Sequence, residues 1–224
     1  MFVGHCAPAL LAATLPRAPR LWVLVLAAQA ADIAFAALTL AGIERYAVRP
    51  GLTPVSPFDF YIVPWSHSLL GSLGIAGAVA LLVRLATRDK EAAWIAGLVA
   101  ASHWPLDWLV HLPDLTIAGS GAGGGELHGL GLWTRPVIAL PFELGLFGAA
   151  AVLYANRTRA VGRRGDLALA WLAGVGVVVQ LALWIGQPRV AADPAPANVA
   201  WSALALYTAL AVFAWWCDLT RVRR

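Results

Sequence analysis

Charge is what this chain has least of: 12% of its residues are Asp, Glu, Lys or Arg, against 60% hydrophobic. That ratio excludes an ordinary soluble globule, of which about a quarter is charged. Cysteine is scarce too. Cys6 and Cys217 stand far apart, with no C-x-x-C and no Cys–His spacing of a zinc finger. Neither a disulfide framework nor a thiolate metal site is supported, and both read as small buried apolar residues. A dinucleotide site is excluded as well. Residues 119–124 match G-x-G-x-x-G in letters, yet no strand precedes them and no βαβ unit surrounds them.

What is present is apolar length. A mean hydropathy of +0.73 and 11 tryptophans describe a polytopic membrane protein. A net charge of +4 and a pI near 9.6 would suit a nucleic-acid partner, but the arginines fall in short loops between apolar runs, where they orient a membrane protein. No nucleic-acid binding is expected.

The chain reads as all-α, a polytopic membrane helix bundle of six long transmembrane helices plus a short N-terminal re-entrant helix. A crossing takes roughly 20 apolar residues. The six runs are 21–43, 65–87, 92–112, 133–155, 166–186 and 198–217, whereas 2–15 is too short. Trp22, Trp65, Trp94, Trp133, Trp184, Trp201 and Trp215 lie near their ends, as interfacial indoles do. One integral membrane domain, 1–224, is expected, with the polar site in 1–155 and two packing helices in 156–224.

Basic clusters at Arg17/Arg20, Arg84/Arg88/Lys90, Arg157/Arg159/Arg163/Arg164 and Arg221/Arg223/Arg224 fall on one side of this arrangement. The positive-inside rule makes that side cytoplasmic, puts the C-terminus there, and leaves 44–64, 113–132 and 187–197 outside. The bacterial inner (cytoplasmic) membrane is the expected location. Residues 17–30 resemble a secretory signal ending in Ala28-Gln29-Ala30, but the apolar run continues to Ile43 and the basic residues follow an apolar N-terminus, so an uncut span is the better reading. Prolines flank the turn at 16–20, which sends the N-terminal segment back into the membrane.

Within these apolar runs sit a few acids and histidines. His103, Asp107 and His111 recur every four residues, one helical stripe. Ionised groups in hydrocarbon are costly and call for a partner. His-x-x-x-Asp can chelate a metal, while a hydrogen-bonded pair joining helices is the plainer alternative. His111 lies about 12 Å along the axis from His103, which suits a second metal or the mouth of the site better than a shared ion. Helical rise places His5 and Asp32 at similar depths from the cytoplasmic turn, and His103 and Glu143 at similar depths from the outer face. His67 lies nearer that face, between Ser66 and Ser68, which are suited to orient its ring. Asp32 reads equally well as a ligand or as a protonated, hydrogen-bonded acid. Glu143, just inward of the helix-disturbing Pro141, is a candidate ligand or general base. His128 reads as solvated in an outer loop. Gly71, Gly74 and Gly77 suggest close helix packing.

The order Gly4-His5, Asp32, Ser66-His67-Ser68 and His103-x-x-x-Asp107 resembles the bacterial membrane-bound metal-dependent hydrolases, a family distantly similar to zinc-dependent phospholipase C. The likeness covers about residues 1–150. Residues 1–5, 27–29, 64–70, 102–107 and 129–133 more closely resemble an uncharacterised group of bacterial polytopic membrane proteins, with which no activity comes. The hydrolase resemblance implies His5, Asp32, His67, His103 and Asp107 as metal ligands. The chain departs from that pattern where Asp32 stands alone instead of Asp-x-Asp-His, and where Val63-Pro64-Trp65 replaces a His-Arg pair. It thus has fewer ligands than the multinuclear pattern.

The expected function is a membrane-embedded hydrolase with one or two divalent metals, Zn²⁺ by donor type, acting on an ester or phosphoester of a lipid. Asp107 or Glu143 would accept the proton of the attacking water. The alternatives are a proton- or cation-coupled transporter using Asp32, Glu143 and Asp107, and a non-catalytic membrane scaffold. Neither headgroup nor oligomeric state is legible.

Overall fold

The computed structural model describes residues 1–119, 126–186 and 196–224. It is mostly helical: α1 Cys6–Ala12, α2 Leu21–Ala28, α3 Ala30–Leu40, α4 Leu69–Thr87, α5 Lys90–Ala101, α6 His103–Val110, α7 Pro136–Arg157, α8 Arg163–Gly186 and α9 Pro196–Thr220. Two short antiparallel pairs accompany the helices, β1 Arg45–Val48 with β2 Phe58–Ile62 and β3 Thr158–Ala160 with β4 Arg221–Arg223. The hydropathy pattern gives no sign of these strands; β1 and β2 pair within one loop, whereas β3 and β4 join segments distant in the chain.

Four helices are long and apolar enough to cross a membrane: α4, α7, α8 and, from Ala197, α9. Joined, α2 and α3 would make a fifth, bent by 56° at the break around Gln29. The run expected at 92–112 is divided instead. Pro105 cannot donate an N–H to residue 101, and its ring crowds that carbonyl. Accordingly α5 ends at Ala101 and α6 starts at His103. Leu112 precedes Pro113, a position biased away from helix. His111, one residue earlier, is already extended (φ −64°, ψ 151°).

The short α1 lies in the middle of the bundle against α2, α5 and α7. Val3, Ala7, Ala9 and Leu10 are buried there, and the small side chains let neighbouring backbones approach closely. Cys6 and Cys217 are buried free thiols, as expected. By contrast α4 and α8 present large apolar side chains outward, with Leu82 65% and Val178 66% exposed. Of the three glycines in α4, only Gly71 sits in close contact, under the Trp65 carbonyl, and Gly74 and Gly77 face open space. The close α4–α5 approach is at Gly97, where a Cβ would lie 3.0 Å from that of Ala80.

One end of the bundle gathers the basic clusters. Arg17 pairs with Glu91 at 3.0 Å, β3 and β4 join the α7–α8 turn to the chain end, and Arg223 donates to the carbonyls of Ala13, Ala18 and Pro19. Asp218 accepts from the backbone N–H groups of Leu21 and Trp22, capping α2 from α9. The apolar run at 1–15 thus doubles back as anticipated. The glycine run, apart from Gly119, and most of the 187–197 loop lie outside the described residues.

Candidate metal centre

Six polar side chains from five segments meet inside the bundle: His5 from the 3₁₀ turn Val3–His5, Asp32 from α3, His67 just before α4, His103 and Asp107 from α6, and His111 after it. Their side chains are 1–3% exposed, except Asp32 at 17%. His5, His103 and Asp107 form one group able to hold a metal ion, and Asp32, His67 and His103 form another.

Asp107 is the hub. Its Oδ2 lies 3.1 Å from His103 Nε2 and 3.8 Å from His67 Nε2. Its Oδ1 lies 3.0 Å from His5 Nε2, 3.6 Å from His111 Nε2 and 2.6 Å from the Met1 amino group. Asp32 Oδ1 completes a ring, 3.5 Å from His67 Nε2 and 3.6 Å from His103 Nε2. The 12 Å separation expected of His103 and His111 holds only for continuous helix. Because α6 stops at Val110, His111 turns back to Asp107.

The far nitrogen of three of these rings fixes its tautomer. His103 Nδ1 is 2.9 Å from the Ala28 carbonyl, which only accepts, so Nδ1 carries the proton. His111 Nδ1 donates in the same way to Asp114 Oδ1 at 3.1 Å. For His67 the argument takes one step more. Ser66 gives its only proton to Glu44 Oε2 at 2.6 Å, so its oxygen accepts from His67 Nδ1 at 2.7 Å. In the neutral form each ring therefore turns an Nε2 lone pair toward the carboxylates.

Local folding explains these supports. Gly42 is left-handed (φ 72°), and the Ile43 N–H returns to the Leu38 carbonyl, a Schellman ending of α3. That reversal brings Glu44 onto the backbone N–H groups of Trp65 and Ser66. Ser68 caps α4 by accepting from Gly71, and its hydroxyl donates to the Pro64 carbonyl. His67 is clamped between these bonds, with Phe60 5.4 Å from its ring centre.

Glu143 is buried but stands apart from this ring of histidines and aspartates. It accepts from Trp133 Nε1 at 3.1 Å and from the Phe2 N–H at 3.4 Å. Gln180 on α8 accepts from the Val3 N–H at 3.1 Å. These two residues hold the turn that carries His5. His128 lies outside the centre, half-buried, its backbone paired with Leu115. Sequence reasoning missed Glu44, Asp114 and Gln180. Gln180 had a signal, as the lone amide in the apolar run of α8, whereas loop acids are ordinarily solvated.

No protein family, curated protein or solved structure matches this chain.

Proposed function

We propose that this chain is a metal-dependent hydrolase of the bacterial cytoplasmic membrane, holding Zn²⁺ between its helices and cleaving an ester or phosphoester of a lipid. The observation that carries the proposal is the convergence of Nε2 lone pairs from His67, His103 and His111 on Asp32 and Asp107, each Nδ1–H being anchored behind. Lone pairs facing carboxylate oxygens repel unless a proton or a metal ion lies between them. Ring partners that hold the outer N–H are also the habitual support of metal-binding histidines.

Spacing favours the same reading. Ligands placed about 2.0–2.2 Å from a tetrahedral ion stand about 3.3–3.6 Å apart. The Asp32, His67 and His103 donors fit this spacing, with Asp32 Oδ1 3.5 Å from His67 Nε2 and 3.6 Å from His103 Nε2. Nitrogen and carboxylate donors without thiolate suit Zn²⁺. Bound there, the ion supplies Lewis acidity and an acidified water.

The chain's own residues divide the remaining work. Glu143, engaged by Trp133 and Phe2, positions the N-terminal turn. Asp107 orients four histidines. Asp32 is the acid of the centre reached from outside, so it takes up the proton from the attacking water. Its α3 packs beside α9. A substrate that arrives between these helices comes from the bilayer, hence a lipid, and the basic end faces the cytoplasm with the C-terminus.

The test combines zinc content by mass spectrometry with lipid turnover in vesicles, for wild type and His103→Ala. Wild type should carry zinc and release a chelator-sensitive product, and His103→Ala should lose both. Equal zinc occupancy in the two proteins would overturn the proposal.

A further inference from the structure

We infer that the outward face of the β3–β4 pair binds the phosphate group of an anionic phospholipid through Arg157, Arg159 and Arg224. The inference needs only that α7, α8 and α9 cross the membrane, and it stands apart from the metal reading.

The strand pair divides its arginines between two faces. Its register sets Thr158 opposite Arg223, Arg159 opposite Val222 and Ala160 opposite Arg221, and the Arg224 N–H donates to the Arg157 carbonyl at 3.0 Å. Side chains alternate along a strand, so 158, 160, 221 and 223 share one face and 157, 159, 222 and 224 share the other. The first face is turned inward. Thr158 is buried, Arg221 donates to its hydroxyl at 3.0 Å and to the Gly165 carbonyl at 3.1 Å, and Arg223 holds the N-terminal turn. On the second face Arg157, Arg159 and Arg224 are exposed. Among the described residues the arginine ion pairs belong to Arg17, Arg49 and Arg221, and none belongs to this face.

Left to itself, such a face is unfavourable. Arg157 and Arg224 are cross-strand neighbours and Arg159 lies diagonal to Arg224, and like charges so placed destabilise a strand pair. Arg163 and Arg164 add to the excess, since they open α8 at a helix end whose dipole disfavours cations. The acid of that first turn, Asp166, is taken by Arg221 at 3.3 Å. The positive-inside rule accounts for arginine at this end of the bundle, but not for like charges set opposite one another on one surface. A phosphate diester does. It accepts from guanidinium groups of both strands and cancels their repulsion.

The surroundings select a lipid. Strand β3 follows α7 directly and β4 follows α9, with α8 starting just beyond β3. All three helices are long and apolar enough to cross a membrane, which sets the strand pair at headgroup level. Val222 shares the arginine face and is 44% exposed, and Val161 in the adjoining turn is 59% exposed. Apolar side chains among arginines suit a surface that meets the boundary between headgroups and acyl chains. A site for dissolved phosphate gains nothing from them.

The experiment titrates the full-length protein in detergent with phosphatidylglycerol and, separately, with phosphatidylcholine of the same acyl length, read by native mass spectrometry. Wild type should bind phosphatidylglycerol in preference. The triple variant Arg157→Gln/Arg159→Gln/Arg224→Gln should weaken that binding about 100-fold, at about fivefold per arginine lost. A control, Arg84→Gln/Arg88→Gln/Lys90→Gln, removes the same charge from the α4–α5 turn and should leave binding unchanged. No preference in wild type overturns the proposal. Equal losses in the two variants overturn it too, because a diffuse surface attraction then suffices. Displacement of the lipid by equimolar inorganic phosphate overturns it in favour of a free-anion site. Phenylglyoxal labelling of wild type decides the matter even where a variant fails to fold: phosphatidylglycerol should shield Arg157, Arg159 and Arg224, and shielding elsewhere or nowhere is fatal to the site.

Discussion

The hydroxyl of Ser66 stands 2.6 Å from Glu44 Oε2 and passes on to His67 a hydrogen-bond acceptor, not a donor. A buried carboxylate thereby sets the tautomer of an imidazole that it does not touch. Ser66→Ala removes this link while Glu44 keeps the Trp65 and Ser66 N–H groups. Metal affinity should fall about 10- to 100-fold, as for other outer partners of ligating histidines. Competition with a calibrated zinc chelator measures it, and an unchanged affinity would mean that the serine merely fills space.

Gln180 and Glu143 fix the N-terminal turn from two different helices. Gln180→Leu leaves the Val3 N–H buried without an acceptor, at a cost of about 1–3 kcal/mol. Thermal unfolding in detergent should register that loss, and His5 should become reactive toward diethyl pyrocarbonate in the variant while remaining protected in wild type.

Helix packing offers a paired test. Gly97→Val drives a branched side chain against Ala80, whose Cβ a glycine-to-alanine change alone would already meet at 3.0 Å. Overpacking of this kind costs about 1–3 kcal/mol. Gly74→Ala meets nothing within 4 Å and should leave stability unchanged or raise it by up to about 1 kcal/mol. If both variants melt alike, α4 and α5 do not meet at Gly97.

Arg223 ties the chain end to the N-terminal turn through three backbone carbonyls. Arg223→Ala should expose residues 13–20 to protease and lower the melting temperature. A digestion pattern identical to wild type would refute the tie.

Orientation is open to direct reading. A C-terminal green fluorescent protein fusion should fluoresce, and a C-terminal alkaline phosphatase fusion should be inactive, if the basic end lies in the cytoplasm. The opposite pair of results reverses the topology.

The ionisable residues of the centre were legible because polar groups inside apolar runs have few uses. His103 and Asp107 stood out on one helical stripe, and matching depths linked His5 to Asp32. What held them was less legible. Glu44 and Asp114 lie in loops, where acids are common and carry no signal until the chain closes on itself. The divided helix at 102 was in principle readable, since Pro105 is in plain sight, but hydropathy averages over a single ring and reports one continuous run. The same averaging hid the strands, and the pairing of β3 with β4 also depends on segments that approach only after the helices are set.

The break at Gln29 has a consequence for how this protein can vary. A residue at the end of a helix has a carbonyl with no partner in the next turn, and Ala28 ends α2 and offers its oxygen to His103. This anchor belongs to the main chain, so exchanging the side chain at 28 cannot delete it. Only a change in the path of the backbone would release the ring. Mutational scanning should therefore find position 28 permissive for any residue small enough to fit, although the atom it lends is one on which His103 depends.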